Sequence, residues 1–197
     1  MMRFGKIGCA PMMKKWTARD YVQDGLVFEE DNIVPPSSGI QAIFIGVGIP
    51  NTDVTVEWCG IKSATPRYGI YASIRSVSSA EAFSIGWWTN VNNETINARI
   101  YYQESSSNQN TGDIAQLSYT VSNGNTASFF NMGRKFATYS NSLVPNALAS
   151  CGTPIRYIVN TRGEYIHYYS LRVYSRALTA EEIAANYRVD RLRFNLP

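Results

Sequence analysis

The sequence predicts an all-β fold, an antiparallel sandwich of two sheets closed by a short C-terminal α-helix. Three observations carry that expectation. Between residues 40 and 175 the chain is a succession of short alternating or apolar segments separated by Gly, Asn, Ser and Pro, the pattern of a sandwich or barrel. From His167 to Tyr174 the alternation is regular, with His167, Tyr169, Leu171 and Val173 on one side and Tyr168, Ser170, Arg172 and Tyr174 on the other. A helical period appears only after Thr179.

The strands are expected over 40–47, 53–61, 68–76, 82–88, 95–103, 114–121, 126–131, 134–139, 155–159 and 165–174. Their connections hold residues suited to tight turns: "NVNNE" at 90–94, "SSSNQNTGD" at 105–113 and "SNGN" at 122–125 supply the Asn and Gly that tolerate positive φ. At the end of the chain Thr179 can accept from the first helical turn while Glu182 reaches back to its N–H, so "TAEE" is a capping box opening a helix over 180–190. Ile183, Ala184 and Tyr187 then form a narrow apolar stripe that docks on a sheet. The first 38 residues are less regular. "VPPSS" at 34–38 interrupts any continuous element, separating an N-terminal arm and first strand (1–38) from the sandwich and its helix (39–197).

A chain of 197 residues suits one domain with its own core. The 18 basic and 15 acidic residues leave a net charge of +3 with no run of Lys or Arg, which argues against nucleic acid as a partner. "MMRFGKIGCAPMMKKW" carries bases without the apolar stretch of a signal peptide, and no apolar run approaches the ~20 residues of a membrane helix. Neither export nor membrane insertion is expected. Cys9, Cys59 and Cys151 are widely spaced, with no CxxC and a single histidine, so a Cys/His metal site is not expected and the thiols read as reduced. No metal or other cofactor is expected. The loop holding Asn108, Asn110 and Asp113 is the one weak candidate for calcium.

Parity assigns the faces. Val54, Val56 and Trp58, with Phe83, Ile85 and Trp87, Ile96, Ala98 and Ile100, and Leu117, Tyr119 and Val121, fall on core sides of their strands. The opposite sides carry Thr55, Glu57, Tyr71, Arg75, Trp88, Arg99 and Tyr101. Tyr71, Arg75, Trp88, Arg99 and Tyr101 form a candidate face for glycan or for a protein interface, because exposed Trp, Tyr and Arg combine large area with a polar handle. In a two-sheet protein the same residues also pack under loops. Trp16, Tyr21, Val27 and Phe28 give the N-terminal arm apolar bulk without a core of its own, which suits anchoring to a partner.

Catalytic constellations are sparse. Hydrolysis of a glycoside needs two carboxylates flanking the bond, and the acidic cluster Glu29–Glu30–Asp31 is consecutive, so its side chains alternate between faces; it reads as a solvated strand end or loop. A Ser or Cys nucleophile would need a base, and His167, the sole imidazole, shares the core parity of Tyr169 and Leu171. The expectation is a chain that is not an enzyme.

The ending "YSLRVYSRALTAEEIAANYRVDRLRF" resembles that of laminin-G-like, concanavalin-A-like jelly rolls, in which the last strand runs into an "RxYxRALTxEEIxxNYxxD" turn and helix. Arg172, Tyr174, Arg176, Ala177, Leu178, Thr179, Glu181, Glu182, Ile183, Asn186, Tyr187 and Asp190 match that pattern. The opening "ARDYVQDGLV" is similar to that of structural proteins of phages and prophages of gut bacteria. After it the chain departs from those relatives: "FEEDNIVPPSSGI" leads almost directly into the sandwich. The matching residues look architectural, Arg176 and Leu178 closing the turn and Ile183 and Tyr187 docking the helix. The resemblance implies a jelly roll in a virion: a decoration, head-fibre or tail-associated protein, homo-oligomeric, in contact with other virion proteins and with bacterial surface glycans as a further partner. The alternative reading is a carbohydrate-binding module on a bacterial surface, with a glycoside hydrolase behind it.

Overall fold

The structure, a computed structural model, describes residues 20–33, 40–49, 53–61, 69–74, 85–89, 95–100, 103–104, 109–110, 114–140, 155–162 and 168–196. In chain order the strands are β1 (Leu26–Ile33), β2 (Ile40–Ile49), β3 (Val54–Ile61), β4 (Gly69–Ile74), β5 (Ile85–Thr89), β6 (Thr95–Ile100), β7 (Gln103–Glu104), β8 (Gln109–Asn110), β9 (Ile114–Ser122), β10 (Thr126–Asn131), β11 (Arg134–Ser140), β12 (Ile155–Arg162) and β13 (Tyr168–Tyr174), followed by the helix α1 (Ala180–Phe194). They form a six-stranded sheet in the order β1-β13-β3-β9-β10-β11 and a second sheet in the order β2-β12-β4-β5-β6-β7, with β8 on β6. All pairings are antiparallel. The nesting is that of a jelly roll: β1 pairs β13 in one sheet and β2 pairs β12 in the other, so the two ends of the chain wrap together around both layers. The expected all-β sandwich with a C-terminal helix is what the chain forms.

The inner face of the six-stranded sheet is a cross-strand ladder. Val54, Val56 and Trp58 of β3 stand opposite Val121, Tyr119 and Leu117 of β9, and these in turn oppose Ala127 and Phe129 of β10 and its last residue, Asn131. Each of the eight apolar members is at most 2% exposed. Tyr119 and Phe129 lie 6.0 Å apart, and Phe129 meets Tyr139 edge-on at 5.9 Å, so aromatic pairs stiffen the sheet toward β11.

Alternation fails for β3 in one respect. Thr55 and Glu57, expected on a wet side, are as buried as their neighbours, because α1 and residues 20–25 cover the outer face of this sheet. There Phe130, Tyr174, Leu178 and Ile183 form an apolar cluster, with Val22 and Leu26 packed against it.

The turn into the helix is built as its residues suggest. Thr179 accepts from the Glu182 N–H, and a Glu182 carboxylate oxygen accepts from the Thr179 N–H. Arg176 donates to both oxygens of Glu182 and to the carbonyl of Asp24. The Glu182 carboxyl is held down to about 2, first by Arg176 and then by the Thr179 backbone, against the opposing effect of burial. The helix continues to Phe194, one turn past 190, because that turn still has partners: Arg193 pairs with Asp31 and Phe194 stacks on Tyr169 at 5.2 Å. Asn195, at φ 53°, ends it in the left-handed region.

Candidate functional site

Two constructions lie on the outer side of the six-stranded sheet. One is a sealed polar network. The Arg172 guanidinium donates from Nε to Glu57 Oε2 (2.9 Å), from Nη1 to Asp190 Oδ1 (2.9 Å) and Ser170 Oγ (3.2 Å), and from Nη2 to Asp190 Oδ2. Its face lies 3.9 Å from the centre of the Tyr21 ring. Tyr21 donates its hydroxyl to Asp190 and accepts from Arg193. Asn186 accepts from the Val22 N–H and donates to Glu57 and to the Tyr174 hydroxyl.

Burial pulls the Arg172 guanidinium down, but Asp190 and Glu57 outweigh it and hold the group above its ordinary value. Burial lifts the Glu57 carboxyl to about 7 against the pull of Arg172, with Asp190 adding to the rise. The ion-paired side chains are fully enclosed, so this network clamps α1 and the 20–22 segment to the sheet and offers no surface to a ligand.

The second construction is open. A cavity of about 600 Å³ lies where the β10–β11 turn meets α1. Asn131 and Met132 line it from the turn, Arg134, Lys135 and Phe136 from β11, and Tyr187 and Arg191 from the helix. Local backbone explains the convergence. Met132 (φ 49°) and Gly133 (φ 70°) are both left-handed, as a two-residue type I′ hairpin turn requires. Gly133 also admits the helix: a Cβ there would lie 2.9 Å from Tyr187 Cβ and Cδ1. Lys135 pairs with Phe130 and Ala137 with Phe129, which leaves Phe136 as the extra residue of a bulge. Such a bulge twists the strand and re-aims its side chains, so neighbours on β11 reach one cavity.

The chemistry of the lining is specific. Arg134, Lys135 and Arg191 are exposed and, among the described residues, none of them is ion-paired. Asn131 is only 8% exposed and its Oδ1 has no hydrogen-bond donor in the protein. An unfilled buried acceptor of this kind costs about 1–3 kcal/mol. The open site therefore combines two aromatic rings with three cations unpaired among the described residues, while the Asn131 Oδ1 is sealed within the fold.

The residues singled out from sequence lie elsewhere. Tyr71, Trp88 and Arg99 fall on β4, β5 and β6, three neighbouring strands of the second sheet; Arg75 and Tyr101 lie outside the described residues. Trp88 stands opposite Ile70 and Asn97, and Arg99 opposite Gly86. The pairing of β4 with β5 is irregular between Ile70 and Ser73, so strict alternation does not run through Tyr71. Of the arm residues, Trp16 is outside the described residues, Tyr21 is 3% exposed beneath the chain's own helix, and Val27 and Phe28 lie on β1. Glu29 and Asp31 also belong to β1 rather than to a loop. Burial raises the Glu29 carboxyl, against the pull of Arg172. His167, Asn108 and Asp113 are outside the described residues, and Asn110 is on β8. Among the described residues no group of three or more His, Cys, Asp or Glu could hold a metal ion, and Cys59 is a buried free thiol.

Sequence reasoning did not find the cavity. The one signal for it was the two-residue gap between the strands expected at 126–131 and 134–139, but Met132 is not a turn-type residue.

The fold and site define a jelly-roll β-sandwich with a cationic, aromatic-lined cavity on its outer side. No protein-family model matches the chain, and no curated protein does. Solved structures do resemble it. Trypanosoma rangeli sialidase in complex with sialic acid aligns with a TM-score of 0.60 at 13% identity, covering 85% of this chain and 33% of that one. The leech intramolecular trans-sialidase, complexed with 2,7-anhydro-Neu5Ac, gives 0.59 at 13% identity, over 84% of this chain and 28% of that one. NanB gives 0.59 at 10% identity, over 81% and 27%. At such identities the likeness is one of fold, and the chain spans about a third or less of the length of each of these structures.

These neighbours correct one expectation. The reading of the chain as not an enzyme is overturned by its match to sialidases and a trans-sialidase, which are enzymes. Laminin-G-like kinship and a phage origin rest on the resemblance of the two termini.

Proposed function

We propose that this chain is a glycan-binding β-sandwich domain that takes a saccharide into the cavity between the β10–β11 turn and α1. The observation that carries the reading is the meeting of the Phe136 and Tyr187 rings with three exposed cations, Arg134, Lys135 and Arg191, in one open cavity. A sugar ring presents apolar C–H faces to aromatic rings and oxygen acceptors to such N–H donors. The neighbours support it, since the sialidase and the trans-sialidase are recorded with a sialic acid or its anhydro derivative. A bacteriophage or prophage particle as the setting, with virion proteins and further copies of the chain as partners, is supported by the termini alone. Multiple copies would suit weak single-site sugar binding. Protein mass spectrometry of purified particles tests that setting.

A second position is favoured by the placement of Tyr71, Trp88 and Arg99 on three adjacent strands. A glycan array with the intact chain, Tyr187→Ala and Trp88→Ala decides between them. Loss of hits with Tyr187→Ala and not with Trp88→Ala is the expected result. The reverse moves the site to the β4–β6 face, and an array without hits from an oligomeric sample overturns glycan binding.

A further inference from the structure

We infer that the cavity selects acidic saccharides, sugar units bearing a carboxylate or a sulfate; this rests on the glycan-binding reading and adds the charge of the ligand to it. Arg134, Lys135 and Arg191 come from two different elements to line one cavity, and among the described residues no carboxylate lines it with them. Like charges gathered without counter-charge repel one another, and an anion relieves that repulsion. The contrast within the same chain is direct. Arg172, Arg176 and Arg193 are each tied to a carboxylate of the fold, whereas the three cavity cations are left to the solvent.

The remaining features narrow the anion. Phe136 and Tyr187 call for a flat apolar face, which an inorganic anion does not have. An acidic sugar meets both demands at once: ring to the aromatic pair, carboxylate or sulfate to the guanidinium forks of Arg134 and Arg191 and the ammonium of Lys135. A nucleic acid strand also joins rings to anions, but a net charge of +3 without a basic run gives it little to track along.

Calorimetric titration of the whole chain at low salt tests this with four probes: tetragalacturonate, a heparin tetrasaccharide, maltotetraose and a short single-stranded oligonucleotide. The expected result is that at least one acidic saccharide binds ~10-fold or more tightly than maltotetraose, since charge-assisted hydrogen bonds are about twice as strong as neutral ones. Arg191→Ala and Lys135→Met each weaken that binding severalfold while leaving the melting temperature in place, and Arg188→Ala, exposed and outside the cavity, does not weaken it. Tetragalacturonate against heparin separates carboxylate from sulfate. Equal binding of maltotetraose overturns the inference and leaves the glycan reading standing. Tighter binding of the oligonucleotide also overturns it, and binding of no saccharide removes both.

Discussion

Glu57 is a carboxyl enclosed with one guanidinium that it shares with Asp190, and its Oε1 has no partner. Burial lifts it from 4.5 to about 7. The folded chain then holds one more proton than the unfolded chain between those two values. This contribution to stability is fully present below pH 4.5 and is lost as pH rises through 7. Glu29, also raised, acts in the same direction, whereas the lowered Glu182 contributes above 4.5 and is lost as pH falls toward 2. The melting temperature of the chain is therefore expected to fall from pH 4.5 to pH 8. Glu57→Gln should flatten that slope, because a carboxamide oxygen can accept from Arg172 and Asn186 while its NH2 stands in the place of Oε1. A variant much less stable than the parent at pH 8 would show that the ionised pair stabilises the fold. Arg172→Met is a harsher change: it leaves two carboxyls buried without a counter-charge and should cost about 3–5 kcal/mol in urea unfolding.

At the scale of elements, the hairpin and the helix set the cavity between them. Met132 stands in the left-handed region, where an L side chain other than Asn or Asp is disfavoured. Met132→Asn should thus stabilise the chain by ~0.5–1 kcal/mol, read by thermal melting, while keeping the turn. Gly133→Ala should do the opposite by about 1–3 kcal/mol, since it adds a Cβ at positive φ against Tyr187, and should weaken saccharide binding as Tyr187 shifts. The helix end offers a milder test. Thr179→Ala removes one half of the capping box and should cost ~1 kcal/mol in the same melting measurement.

At the scale of the molecule, the sandwich was legible because period-two patterning and turn chemistry are local. All ten strands expected between residues 40 and 174 are present, though their ends shift, and the "SNGN" turn places Asn123 and Gly124 at positive φ. The capping box is equally local. What the sequence hid depends on long-range pairing. The burial of Glu57 needs Arg172, 115 residues away, and Asp190 from a third element. β1 reads as irregular until β13 pairs with it, because its acidic residues mask the alternation. The cavity arises from a bulge at Phe136, which has no sequence signature, and from a strained turn at Met132, marked only by the two-residue gap between its strands. That cavity is where a saccharide is proposed to bind. A crystal structure of the chain with a saccharide that it binds tests this: density is expected between Phe136 and Tyr187, within reach of Arg134 and Arg191. Sugar density on the β4–β6 face, with the cavity holding water alone, would contradict it.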